Sequence, residues 1–313
     1  MKLLQSIWSK SKHWHAIPLG PVSVMYRFAR TTPVSSNARR QLVQVVQHRL
    51  WRRPPRMPHQ EPSPARESPA VVPPVLGVPQ NAVIVGVGPG LGFALARCLA
   101  KSGMNVALAS RNAERLDPLV RQLRSISART IRAYGCNATS EPSVKRLISY
   151  VLAEMGVPDL VIYAVQDFGP GRALDVEVPR FEDCWRQNCL GAFLVAREAA
   201  RVMLPLNRGT IVLIGSTSGL IGRANHLNLA VGKFGLRALS QVLARELWPE
   251  GIHVVHLVID ADIKEDGSSE AGDPQADPDD ISDLVYSLHR QRRSSWTSEV
   301  DARPWRERFW EHC

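Results

Sequence analysis

The stretch Asn81–Arg111, NAVIVGVGPGLGFALARCLAKSGMNVALASR, constrains the fold of this chain more than any other segment. Ala82–Val87 is a short apolar, β-branched run suited to a buried parallel strand, and it leads straight into Gly86, Gly88, Gly90 and Gly92. Beyond the glycines, Leu91, Ala94, Leu95, Cys98 and Leu99 recur at helical spacing, and Gly103 is placed to end that helix in a left-handed turn. A second apolar strand is expected at Val106–Ser110. Strand, glycine turn, helix and strand in this order hold a dinucleotide pyrophosphate against a helix N-terminus, where unpaired N–H groups and the helix dipole favour negative charge. A Cβ in the turn would keep the phosphates off the backbone. The expected fold is therefore α/β, a Rossmann-type doubly wound parallel sheet, with Gly86, Gly88, Gly90, Leu91 and Gly92 around the cofactor. The alternative is a tight α/β turn without a ligand.

Cofactor choice is read at the end of the second strand. An acidic residue there would accept hydrogen bonds from the ribose 2′-OH of NAD, whereas Ser110 and Arg111 offer a hydroxyl and a guanidinium suited to a 2′-phosphate. This favours NADP over NAD. Arg111 also reads as a solvated arginine, since Pro89 supplies no second basic group in the glycine loop.

The spacing Gly86-x3-Gly90-x-Gly92 resembles the short-chain dehydrogenase/reductase superfamily, and the likeness runs from about Asn81 to about Arg308. Asn188 in QNCLGAF, Ser216 in GSTSG and Lys233 in NLAVGK fall in the order of that family's asparagine, serine and lysine. The resemblance implies that Ser216 binds the substrate oxygen, that Lys233 holds the nicotinamide ribose and lowers the pKa of a tyrosine, and that Asn188 supports a water relay. The tyrosine should stand four residues before Lys233, and Leu229 is there instead. Other departures are Ile162-Tyr163-Ala164-Val165 for the family's Asn-Asn-Ala-Gly, Ile259-Asp260-Ala261 for its Pro-Gly, and Asn137 for the aspartate that meets the adenine. A divergent bacterial-type subgroup is similar in lacking the tyrosine and in carrying an Ile-Asp ending and a C-terminal Arg-Pro-Trp, as at Arg303–Trp305.

The alternation continues with helices at Pro142–Met155, Arg180–Leu204 and Asn225–Leu247 and strands at Leu160–Val165, Thr210–Ile214 and Ile252–Ile259. Asp260–Asp280 is polar and reads as a loop, Ile281–His289 as a short helix, and Ser295–Arg308 as an edge strand packed by tryptophans. In the resembling family two long helices pack between subunits. That makes Phe193, Val195, Ala199 and Val202 on one, and Leu236, Leu239 and Leu243 on the other, candidates for a homodimer or homotetramer interface; each also suits packing against its own sheet.

His226 lies seven residues before Lys233, a spacing at which the enoyl-reductase branch places its tyrosine, so it is a candidate proton donor beside the plainer reading as a loop histidine. His253 and His256 on an apolar strand read as packed residues, and no metal site is expected. Cys98 and Cys189 read as small core residues, and the cysteines lack Cys-x-x-Cys spacing, which points to a reducing compartment.

The chain has 313 residues and a net charge of +10, but residues 1–60 hold eleven Lys/Arg and no Asp/Glu, leaving the rest at −1. No nucleic-acid partner is therefore expected for the domain. Residues 1–78 read as a basic, proline-rich, disordered extension ahead of one cofactor domain at 79–313. Leu3, Leu4, Ile7 and Trp8 in an acid-free setting resemble a transit peptide, with a plain unstructured extension, or in a bacterial source a basic tail touching membrane or RNA, as the alternatives; the expected location is cytoplasmic, or mitochondrial for a eukaryotic source. No membrane span is expected, because Pro73, Pro74, Pro79 and Pro89 interrupt the uncharged stretch before the glycine turn. The function implied is an NADP(H)-dependent oxidoreductase that reduces a carbonyl or activated double bond, or else a catalytically silent cofactor-binding relative acting as a sensor or as a subunit of a complex.

Overall fold

A computed structural model describes residues 79–263 and 275–305, all within one compact unit, Arg66–Cys313. The proposed extension at 1–78 lies outside the described residues. Seven parallel strands pair in the order β3-β2-β1-β4-β5-β6-β7. They are β1 (Asn81–Val85), β2 (Asn105–Ser110), β3 (Ile131–Gly135), β4 (Leu160–Tyr163), β5 (Gly209–Ser216), β6 (Ile252–Ile259) and β7 (Glu299–Ala302). The chain walks outward from β1 to β3, then returns to β4 on the other side of β1. That reversal opens a crevice at the C-terminal ends of β1 and β4, where ligands of open α/β sheets bind.

Strand β1 is buried along its whole length, and its alternation feeds two cores. Ala82 and Ile84 join Leu95 and Leu99 of α1 (Leu91–Lys101) on one face, with Val285 from the late helix Pro278–His289. Val83 and Val85 join Val144, Ala196 and Leu236 on the other face. Burial on both faces explains the near-continuous apolar runs. Each fully buried aliphatic side chain contributes about 1.5–3 kcal/mol.

The sequence reading named no element between Ser110 and Pro142, where the structure has α2 (Asp117–Ile126) and β3. Strand β3 lies at the sheet edge, so only Ile131 and Tyr134 of IRAYG are buried and the apolar signal is thin. After α3 (Glu141–Glu154), the expected single helix Arg180–Leu204 is instead α4 (Val178–Trp185), a π-helical turn at Arg186–Leu190, and α5 (Gly191–Met203). Tyr163 of β4 explains the joint. Its hydroxyl donates to the carbonyl of Gln187, and it lies where a Cβ on Gly191 would stand, so only glycine fits beneath it.

Helix α6 (Leu227–Leu247) follows β5, and α7 (Pro278–His289) begins with Asp277, whose side chain accepts the N–H of Asp279 at 2.8 Å. The expected edge strand is β7, with Trp296 stacked on His253 at 4.8 Å between centroids.

Two groups of residues are placed differently from the sequence reading. Val195, Ala199 and Leu236 are fully buried, which takes the own-sheet alternative for these three, whereas Leu239 and Leu243 are partly buried against the same core. Phe193, by contrast, is exposed, as is Val242. Cys98 and Cys189 are half-buried; the buried thiols are Cys136 and Cys184.

Candidate active site

The crevice is built from the glycine turn. Gly86 has φ +99°, and a Cβ there would lie 2.7 Å from the amide nitrogen of Val165. A Cβ on Gly92 would come within 2.8 Å of Val87 Cα, so this glycine lets α1 close on the turn. A Cβ on Gly88 would meet nothing within 4 Å, because it would stand in the crevice itself. Gly90 caps α1 without a side chain, leaving Leu91 and its neighbours to present first-turn N–H groups to an outside partner. This is a cradle that a side chain would fill, and its residues fit a dinucleotide pyrophosphate.

The cleft has a volume of about 520 Å³ and is lined by Gly86, Gly88, Ser110, Arg111, Asn137 and Val165, among others. The Ser110 hydroxyl donates to the carbonyl of Asn112 at 2.8 Å, while Arg111 is exposed and makes no ion pair among the described residues. Asn137 braces the next turn: its side-chain oxygen accepts from the Thr139 N–H at 3.1 Å and hydroxyl at 2.9 Å. Arg186 and Gln187 complete the wall, brought there by the π-helical turn. The sequence reading missed both, because their approach depends on that unpredicted turn.

Two of the candidate catalytic residues, Asn188 and Lys233, are linked by close packing around α6. Asn188 is fully buried, and its amide donates to the carbonyls of Asp167 at 2.7 Å and Cys184 at 2.9 Å. Gly232 of α6 lies against it, where a Cβ would be 2.6 Å from Asn188 Cβ. One residue on, the Lys233 backbone meets Gly219, whose Cβ would lie 2.9 Å from the Lys233 carbonyl oxygen. The Lys233 side chain is shut from solvent, and its Nζ donates to the carbonyl of Ile214 at 2.9 Å. Burial pushes its pKa down to about 8. Ser216 ends β5 two residues beyond that carbonyl; its hydroxyl is buried and has no hydrogen-bond partner among the described residues. Leu229, one helical turn before Lys233, is buried.

His226 stands at the N-cap of α6. Its Nδ1 lies 2.9 Å from the Ala224 carbonyl, and its ring stacks on Phe168 with centroids 5.0 Å apart. It is held by the loop after β4, since the N–H of Gly171 donates to the neighbouring Asn225 carbonyl at 3.0 Å.

Two polar braces escaped the sequence reading. Arg180 grips Asp167 through two hydrogen bonds of 2.5 and 2.8 Å and holds that carboxyl below its ordinary pKa. Asp260 accepts the Thr217 hydroxyl at 2.8 Å and pairs with Arg303 at 2.5 Å, tying the loop beside Ser216 to β7. These pairs join residues 13 and 43 positions apart, and no local pattern marks them. Among the described residues, no group of His, Cys, Asp or Glu is arranged to hold a metal, and no helix is long and apolar enough to cross a membrane.

A doubly wound sheet with a glycine cradle at its crevice defines a nucleotide-binding fold. The short chain dehydrogenase family model matches residues 80–261, and the chain belongs to that family. It is 31% identical over 182 residues to sorbitol-6-phosphate 2-dehydrogenase of Escherichia coli K12, covering 58% of this chain and 70% of that protein. A short-chain dehydrogenase from Rhodopseudomonas palustris superposes with a TM-score of 0.65 at 30% identity, covering 72% of this chain and 99% of the other. A metagenomic short-chain oxidoreductase in complex with NADP gives 0.63 at 27% identity, covering 72% and 97%.

Proposed function

We propose that this chain is an NADP(H)-dependent oxidoreductase that reduces a carbonyl or activated double bond of a small molecule. The observation that carries this reading is the Ser216 hydroxyl, buried and unpartnered two residues beyond the Ile214 carbonyl that Lys233 contacts. An unpaired buried hydroxyl is destabilising, and a substrate oxygen would satisfy it. A bound nicotinamide supplies the hydride. Gly86, Gly88, Gly90, Leu91 and Gly92 would hold its pyrophosphate, Asn137 its adenine end, and Lys233 its ribose. Ser110 and Arg111 favour a 2′-phosphate, in line with the NADP held by the metagenomic relative, with NAD the alternative. Leu229 has no proton to give, so the donor must be another group, and His226 is the candidate. Enones and quinones suit such a site, because hydride addition to them leans less on a strong acid.

The apolar side chain of Leu229 also favours a second reading, a cofactor-binding protein without turnover that acts as a sensor or as a subunit of a complex. NADPH oxidation with a panel of aldehydes, ketones, enones and quinones separates the two. Turnover of any class, lost in Ser216→Ala, supports the enzyme; no turnover with NADPH bound supports the silent relative.

The exposed Phe193 on α5 and Val242 on α6 support self-association through these helices as a homodimer or homotetramer. A cytoplasmic location, or a mitochondrial one in a eukaryote, is part of the same proposal.

A further inference from the structure

One residue before Ser216, the imidazole of His256 on β6 fills the place where a Cβ on Gly215 would stand. The parallel register sets His256 beside Leu213 of β5 and beside Glu299 of β7. His256 Nδ1 lies 2.9 Å from Glu299 Oε2. The same carboxylate accepts two hydrogen bonds from Arg237 of α6, at 2.7 and 2.8 Å, and they hold Glu299 below its ordinary pKa. Facing an ionised carboxylate, Nδ1 carries the ring proton and donates it, which leaves Nε2 as an acceptor. Nε2 is buried and has no hydrogen-bond partner among the described residues.

The Lys233 ammonium rests on the same stretch of backbone. It donates to the Ile214 carbonyl at 2.9 Å, and of its three N–H groups this uses one. The Ile214–Gly215 peptide thus meets both a buried donor with protons to spare and a buried acceptor that lacks one. The charged groups facing His256 are Glu299 from β7 and Lys233 and Arg237 from α6; β5 contributes Gly215, which has no charge. Burial holds the imidazole below its ordinary pKa, and Lys233 and Arg237 push the same way against the pull of Glu299. A neutral imidazole with its other nitrogen fixed on a carboxylate has a set tautomer and a more basic lone pair. We propose that His256, braced by Glu299, is a positioning residue for Lys233: its Nε2 accepts from the ammonium, directly or through one water, and keeps that ammonium charged for the nicotinamide ribose. The ribose part rests on the oxidoreductase reading; the link between the two side chains does not.

The test is a pH-dependent stability cycle on the full chain, comparing Lys233→Met with its parent in three backgrounds: the unaltered chain, His256→Leu and Glu299→Gln. The pH at which the gain from Lys233→Met starts to shrink, about 8 in the unaltered chain, reads the Lys233 pKa. It should fall by about one unit, tenfold in proton affinity, in His256→Leu, and by a smaller step the same way in Glu299→Gln. Where His256→Leu does not fold, Glu299→Gln carries the test. A packing role alone would lower the melting temperatures and leave that pH unmoved, and an unmoved or raised Lys233 pKa overturns the proposal. NADPH affinity, measured by calorimetry, should decline with rising pH about one unit earlier in His256→Leu than in the parent; an unshifted decline beside a lowered Lys233 pKa overturns the ribose part. A parent chain that binds no NADPH removes the oxidoreductase reading, while the stability cycle, which contains no cofactor, still decides the link.

Discussion

Lys233 donates to the carbonyl of Ile214 at 2.9 Å from a position without solvent access, so its ammonium rests on one backbone oxygen two residues before Ser216. Burial lowers its pKa from 10.5 to about 8. The folded state thus favours the neutral amine. The full penalty is present below pH 8, fades as pH rises from there toward 10.5, and is absent above. Lys233→Met should stabilise the protein by up to about 3 kcal/mol at pH 7, several degrees in melting temperature, with the gain shrinking toward pH 10.5. Thermal melts of both proteins across this range check the sign. A loss of stability that is the same at every pH would show that the charge is not the governing term.

The glycine turn separates binding from folding. Gly88→Val puts its side chain into open crevice and should leave the melting temperature nearly unchanged while reducing NADPH affinity by at least about tenfold. Gly92→Ala drives a methyl against Val87 Cα and should lower stability by about 1–3 kcal/mol. Denaturant unfolding and calorimetry on both variants distinguish the two effects. Unaltered NADPH affinity in Gly88→Val would mean that the cradle is not used for phosphate.

A positioned general acid is worth about 10²–10⁴ in rate, so the chain as it stands should reduce simple ketones poorly. Leu229→Tyr places a phenol one helical turn before Lys233, whose charge would lower the phenol's pKa. Steady-state ketone reduction should rise by at least about tenfold, about 1.4 kcal/mol of transition-state stabilisation, and the gain should vanish when Lys233→Ala is added. No gain with any carbonyl substrate would assign the proton to another group, and a matching loss in His226→Ala of the parent chain would point to the histidine.

The legible parts of the structure were those with local causes. Gly86, Gly88, Gly90 and Gly92 stand between apolar strand and apolar helix, and the crevice follows from them. Ser216, Asn188 and Lys233 were named from motif order, and the structure adds the close packing of Gly232 on Asn188 and of Gly219 on Lys233. The illegible parts depend on distant partners. Tyr163 and Gly191 together set the π-helical turn, and nothing within either neighbourhood signals the other. Val195, Ala199 and Leu236 looked available for a partner because helical periodicity marks an apolar face without saying whether sheet or subunit covers it. Arg303 was visible in Arg-Pro-Trp, but its pairing with Asp260 arises only once β7 lies beside β6.

The most direct measurement is calorimetric titration of the chain with NADPH and with NADH, repeated on Arg111→Ala. NADPH should bind at least about tenfold more tightly than NADH, and Arg111→Ala should erase most of that difference while leaving NADH affinity within about twofold. Equal affinities in the parent chain, or a preference that survives Arg111→Ala, would contradict the assignment of this cleft to NADP(H).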